Sequence, residues 1–179
     1  VTLPATLWFF DKAKAKTDKK DEILFIDARN VFTQVDRAHR KFSDEQIKNL
    51  GIISRLYEGD TQAFADLIAE YTQAMHEAPE QAEDKETKTK AYFQAQIDWL
   101  NERFPDGVYT DVVGLCKVAK LEGEDGIIDQ DYSLNAGRYV GVVIEDDGLT
   151  AEEFKVEMLS LNEELAKLNA EARELELKI

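Results

Sequence analysis

Cysteine is almost missing from this chain: Cys116 stands alone among 179 residues. A single thiol cannot close an intramolecular disulfide, which excludes a stapled secreted scaffold and fits a reducing compartment. Cys116 reads as a small buried hydrophobe. Proline is nearly as scarce, at positions 4, 79 and 105, and none adjoins another, so no loop is built on a Pro-Pro pair. The nine glycines never fall in a Gly-x-Gly pattern and no Gly-Lys-Ser/Thr occurs, which removes the familiar phosphate-cradling loops. The only histidines, His39 and His76, lack neighbours with metal-ligand spacing, so no metal site is assigned. Apolar runs fall far short of the ~20 residues a bilayer span needs. The opening VTLPATLWFFDKAKAK has no basic segment ahead of an apolar one. The expectation is a cytoplasmic protein with no membrane partner.

What the chain does have is acid. Its 37 acidic residues outweigh 22 basic ones for a formal net charge of -15, a field that repels polyphosphate. No pair among so many carboxylates can be singled out, and no catalytic residue is nominated. Two stretches run against the trend: five lysines between Lys12 and Lys20, and Arg37, Arg40 and Lys41 close together. Contact with phosphate is local even when net charge is not. Lys12, Lys14, Lys16, Arg37, Arg40 and Lys41 are therefore candidates for DNA contact, beside the ordinary reading of solubilising surface charge.

The length suits one domain with a real core, since such a chain buries roughly 70% of the surface its unfolded form exposes. Leu7-Trp8-Phe9-Phe10 and Ile23-Leu24-Phe25-Ile26 are short continuous apolar runs, the pattern of strands covered on both faces. The polar segment between them suits an antiparallel hairpin with a long tip. Two strands alone are marginal in water, so the hairpin reads as the last part of a larger sheet. From Ser43 the period changes. Ser43-Asp44-Glu45-Gln46 is a capping box, and Ile47, Leu50, Ile53 and Tyr57 follow at helical spacing to about Gly59. A second helix over about 61–78 aligns Phe64, Leu67, Ile68, Tyr71 and Met75. After a charged joint, a third over about 92–104 aligns Phe93, Ile97, Leu100 and Phe104. Residues 108–149 read as irregular structure with short strands. The class expected is α+β, mainly helical.

A second capping box, Thr150-Ala151-Glu152-Glu153, starts the longest helix. Phe154, Met158, Leu161, Leu165, Leu168, Ala172, Leu175 and Ile179 then alternate steps of four and three, a heptad seam. At 1.5 Å per residue it runs roughly 37 Å. Such a seam predicts a coiled-coil-like helix that seeks a partner. The acidic flanks Glu157, Glu163, Glu164, Glu171 and Glu174 favour one with basic flanking positions or an apolar groove.

The ordered blocks LPATLWFFDK (3–12), ILFIDAR (23–29), FSDEQI (42–47), GLCKVA (114–119) and SLNAGRYVGV (133–142) resemble the C-terminal part of the modification (methyltransferase) subunit of type I restriction-modification systems. The family's usual last block has proline where this chain has Ala136, which frees φ in the turn. The resemblance implies a parent enzyme that transfers a methyl group from S-adenosylmethionine to the N6 of adenine in DNA. The family's cofactor loop and its Asn-Pro-Pro-Phe motif are absent from these residues. The resemblance thus implies a fragment, inactive alone and without its own cofactor site. Residues 1–42 would be the closing hairpin of the methyltransferase domain, 43–149 a helical region, and 150–179 an assembly helix. Implied partners are the specificity subunit, a second modification subunit and, through the parent complex, DNA.

The stretch DYSLNAGRYVGV (131–142) reads, residue by residue, as an anchor for that helix. Asn135-Ala136-Gly137 has turn composition, Gly137 can take φ > 0, and Arg138 to Val142 can run as a short strand held by Tyr139 and the valines. Asn135, Gly137, Arg138 and Tyr139 are its expected residues, with a DNA contact by Arg138 as the other use. The rival to the whole reading is a non-enzymatic helical adaptor that self-associates through its terminal seam.

Overall fold

A computed structural model describes residues 5–37, 39–84, 87–143 and 150–176. The chain divides into two units, Val1–Val143 and Ile144–Ile179.

Three helices make the body of the first unit, each started by a side chain that satisfies a free backbone amide. Helix α1 (Asp44–Tyr57) begins at the expected capping box: Gln46 N donates to Ser43 Oγ at 3.2 Å and Ser43 N to Gln46 Oε1 at 2.9 Å. Asp60 Oδ1 caps α2 (Thr61–Glu77) by accepting from Ala63 N at 3.1 Å. That helix stops ahead of Pro79, which disfavours helical backbone in the residue before it. Thr89 caps α3 (Lys90–Arg103) in the same way. The expected faces of α2 and α3 are the buried ones. Phe64, Leu67, Tyr71, Ile97, Leu100 and Phe104 join Ile52, Ile53 and Leu56 in one core.

The buried face of α1 is rotated from expectation. It consists of Glu45, Asn49, Ile52, Ile53 and Leu56, while Ile47 is 56% exposed. Two polar residues occupy core positions because partners from other elements meet them there, a condition that no local periodicity reveals.

The expected N-terminal hairpin is not formed. Residues 5–10 have no regular structure, and Leu7, Trp8, Phe9 and Phe10 are 79, 60, 90 and 85% exposed. Strand β1 (Glu22–Ile26) exists, but it pairs antiparallel with β4 (Cys116–Lys120) in the register Leu24↔Val118. The reason is cover. Strand β4 puts Cys116 and Ala119 into the interior, whereas an all-apolar Leu7–Phe10 strand needs two covering layers that the described residues do not supply. Strands β2 (Thr33–Gln34) and β3 (Arg40–Lys41) form a second, small antiparallel pair. The α+β, mainly helical class holds.

Residues 121–143 run mostly through turns. Ala136–Arg138 is a single 3-10 turn, so the strand expected over Arg138 to Val142 is absent. Tyr139 and Val140 are buried with Phe25, Ala119 and Ile127 in a second small core, but Val142 is exposed.

The second unit is helix α4 (Ala151–Glu176). Its capping box is present: Thr150 N donates to Glu153 Oε2 at 2.8 Å and Glu153 N to Thr150 Oγ1 at 3.3 Å. Ile179 lies outside the described residues.

Candidate functional site

Three of the five sequence blocks, far apart in the chain, converge on one clasp. Phe25 of β1 lies flat against Tyr139, ring centroids 4.1 Å apart and 7° from parallel. The Tyr139 hydroxyl donates to the Ser133 carbonyl, which ties the ring to its own loop. Asp27 N donates to Leu115 O and Gly114 N to Val140 O, both at 2.7 Å, so the 114–119 block bridges the other two. Asn135 Oδ1 accepts from Gly137 N at 3.1 Å and opens the 3-10 turn.

Gly137 does not use the positive φ open to it. A Cβ there would stand 3.2 Å from Arg29 Nη2. Arg29 in turn grips the buried Asp27 carboxylate through Nε and Nη2, the latter at 2.6 Å. This hydrogen bonding with Arg29 outweighs burial and holds the Asp27 carboxyl below its ordinary range. Gly114 and Gly141 are left-handed, with φ +74 and +73, and at Gly114 the space is so tight that a Cβ would meet Val143 Cγ2 at 2.7 Å. Arg138 is exposed.

A polar network fastens the three helices beneath. Glu45 accepts from Lys88 Nζ at 2.7 and 2.8 Å and from the Tyr92 hydroxyl at 2.8 Å. Burial pushes the Glu45 carboxyl up, but the bonds from Lys88 and Tyr92 prevail and it sits below its usual range. Burial, together with the neighbouring Glu45 charge, pushes Tyr92 up to about 12 despite an opposing bond to Ser43. Tyr71 OH lies 2.9 Å from Asn49 Oδ1 and 3.1 Å from Glu45 O, and Asn49 Nδ2 donates to Gln96 at 3.0 Å. Sequence reasoning missed this network. No local signal marked it, since the helical period put Ile47 and Leu50, not Glu45 and Asn49, on the inner face of α1.

The basic candidates fall in different settings. Lys14 lies 5.3 Å from the Tyr57 ring and Lys19 4.1 Å, with Lys19 also paired to Glu58 at 3.1 Å. Lys12 and Lys16 are exposed. Arg37, Arg40 and Lys41 are carried by the β2–β3 hairpin and are all exposed. The Arg40 guanidinium is nevertheless ordered, 4.1 Å over the Phe32 ring and bonded through Nε to Gln34 at 3.2 Å.

On α4 the seam residues Phe154, Met158, Leu161, Leu165 and Leu168 are between 43 and 56% exposed, and Ala172 is exposed too. Leu175 lies within the helix. Among the described residues no helix is long and apolar enough to cross a membrane.

Comparison with known proteins agrees with the reading of the blocks. Residues 1–77 match the N-6 DNA methylase family. Over all 179 residues the chain is 31% identical to the type I restriction enzyme MjaIX methylase subunit of Methanocaldococcus jannaschii, covering 23% of that protein. Over 178 residues it is 30% identical to the type I restriction enzyme HindI methylase subunit of Haemophilus influenzae, covering 28% of it. The chain thus spans about a quarter of the length of the curated relatives it matches. No solved structure matches it. These likenesses bear out the resemblance carried by the five blocks: the chain is similar to the methylase subunits of type I restriction enzymes.

Proposed function

We propose, from this likeness to the N-6 DNA methylases, that the chain is the assembly portion of a type I modification subunit. The parent would methylate adenine N6 in DNA with S-adenosylmethionine. The residues at hand do not suit that cofactor, because they hold neither a glycine-rich loop nor an Asn-Pro-Pro-aromatic motif. No step of methyl transfer is therefore assigned to them, and the portion alone is inactive.

What these residues do in this reading is hold subunits together. The observation that carries it is the whole-length likeness to type I methylase subunits, joined to a helix whose apolar seam is exposed. Burying each of several leucines contributes ~1.5–3 kcal/mol, enough in sum to exceed the cost of association. The partner is the central helical part of a specificity subunit, which a second modification subunit would flank on the other side. The clasp of Phe25, Asn135, Gly137, Arg138 and Tyr139 would anchor the chain ahead of α4.

The test is capture of the purified chain by a co-expressed type I specificity subunit. Replacing Leu165 and Leu168 with Asp should abolish capture. Undiminished recovery of that double variant overturns the assignment. A self-associating adaptor would instead show a dimer mass by light scattering and no capture.

A further inference from the structure

The β2–β3 hairpin is not used by the assembly reading, yet it is basic and exposed. Across Thr33–Lys41 it carries Arg37, Arg40 and Lys41 against one carboxylate, Asp36, within a chain of net charge -15. Nothing about a solubilising loop requires the order found here. Thr33 Oγ1 donates to Gln46 Oε1 at 3.2 Å, the same oxygen that completes the α1 capping box, so the base of the hairpin is pinned to a helix end. The tip is closed by Val35 N donating to His39 O at 3.0 Å and by His39 N donating to Asp36 Oδ1 at 2.9 Å. His39 Nδ1 sits 2.7 Å from Asp36 Oδ2, which fixes the ring while leaving it 76% exposed. Arg40 is held by Phe32 and Gln34 through the face and Nε of its guanidinium.

Strand geometry then distributes the charge. Gln34 pairs with Arg40 and Thr33 with Lys41, and successive side chains of a strand point to opposite faces. Arg40 and Lys41 therefore flank the ribbon on its two sides, while Arg37 and His39 occupy the tip. A two-stranded ribbon is of a width that the major groove of B-form DNA admits, at about 12 Å across. A ribbon with cations on both faces meets the two phosphate walls of such a groove at once.

We propose that this hairpin is a wing that enters the groove of duplex DNA, with Arg37, Arg40 and Lys41 on backbone phosphates. The proposal rests on the DNA-methylase reading and adds a surface to it. The lysine loop is the control, because Lys12, Lys16 and Lys20 are exposed cations outside any paired strands and so test whether charge alone suffices.

The experiment is fluorescence anisotropy of the full 179-residue chain with a labelled 30-base-pair duplex and the matching single strand, over a series of salt concentrations. Replacing Arg37, Arg40 and Lys41 by Gln should weaken duplex binding roughly 10-fold or more. It should also reduce the slope of log affinity against log salt by about 2.7, since each phosphate contact contributes ~0.9. The control, Lys12, Lys16 and Lys20 to Gln, removes equal charge and should change both far less. Arg37→Gln alone, at the exposed tip, should show about a third of the slope change and guards against misfolding of the triple variant. Equal loss in hairpin and control variants, equal binding of single strand and duplex, or no duplex binding by the native chain overturns the wing. Capture by the specificity subunit is scored separately. A chain that is captured but grips no duplex refutes the wing alone, and one that binds duplex through the hairpin without capture refutes only the assembly role.

Discussion

At the scale of single residues, stability depends on a few side chains with no freedom to rearrange. Leu100 is fully buried between the helices. Its replacement by Ala removes apolar contact and leaves a cavity, so urea denaturation should record a loss of about 2–5 kcal/mol. Tyr71 serves by its hydroxyl as well as its ring. Tyr71→Phe leaves the buried Asn49 Oδ1 without the Tyr71 hydroxyl as its partner, and the same measurement should give a smaller cost of ~1–3 kcal/mol. Gly114 is irreplaceable for a third reason, since both its φ of +74 and the nearness of Val143 oppose a side chain. Gly114→Ala should cost ~1–3 kcal/mol and blur the near-ultraviolet signal of Tyr139, whose neighbour Val140 accepts the Gly114 amide.

At the scale of elements, what the sequence discloses depends on how far away the partners are. Both capping boxes were legible because donor and acceptor lie three residues apart, and the α2 and α3 faces because their period is continuous. The α1 face was not legible: Glu45 and Asn49 are acceptable inside only when Lys88, Tyr92, Tyr71 and Gln96 arrive from other helices and loops. Strand pairing failed for the same reason, since β1's partner lies beyond three helices. For the candidate site, the burial of Tyr139 was foreseeable from a large aromatic beside a turn, but the nearness of Arg29 to Gly137 was not, because it comes from a distant block. An expectation follows for the lysine strap. Lys88→Met should leave α1, α2 and α3 helical by circular dichroism, yet lower the melting temperature, because Glu45 stays buried without its cation; an unchanged melting temperature would show the strap to be ornamental.

For the molecule as a whole, the titration of these groups sets the limits of its stability in pH. Asp27 and Glu45 have folded-state values below their unfolded ones. Their contribution is therefore present above the ordinary carboxylate range near ~4 and is lost as pH falls through the lower folded values. Tyr57 and Tyr92 are raised to about 12, mainly by burial. Their contribution is complete below ~10 and is lost as pH climbs toward the folded values. Denaturant midpoints measured across pH should be flat in the neutral range and fall at both ends, with Asp27→Asn flattening part of the acid limb.

The pairing of β1 with β4, in which Ile26 faces Cys116, has a consequence for the order of assembly in time. The intervening helices are local structures that form fast, whereas closing a ladder across so long a loop must first overcome the entropy of bringing its ends together. On the ribosome, β1 emerges well before its mate is translated, and Phe25 must wait still longer for Tyr139. Until then this strand has an unsatisfied edge and an uncovered ring, the interval in which a nascent chain most needs a chaperone.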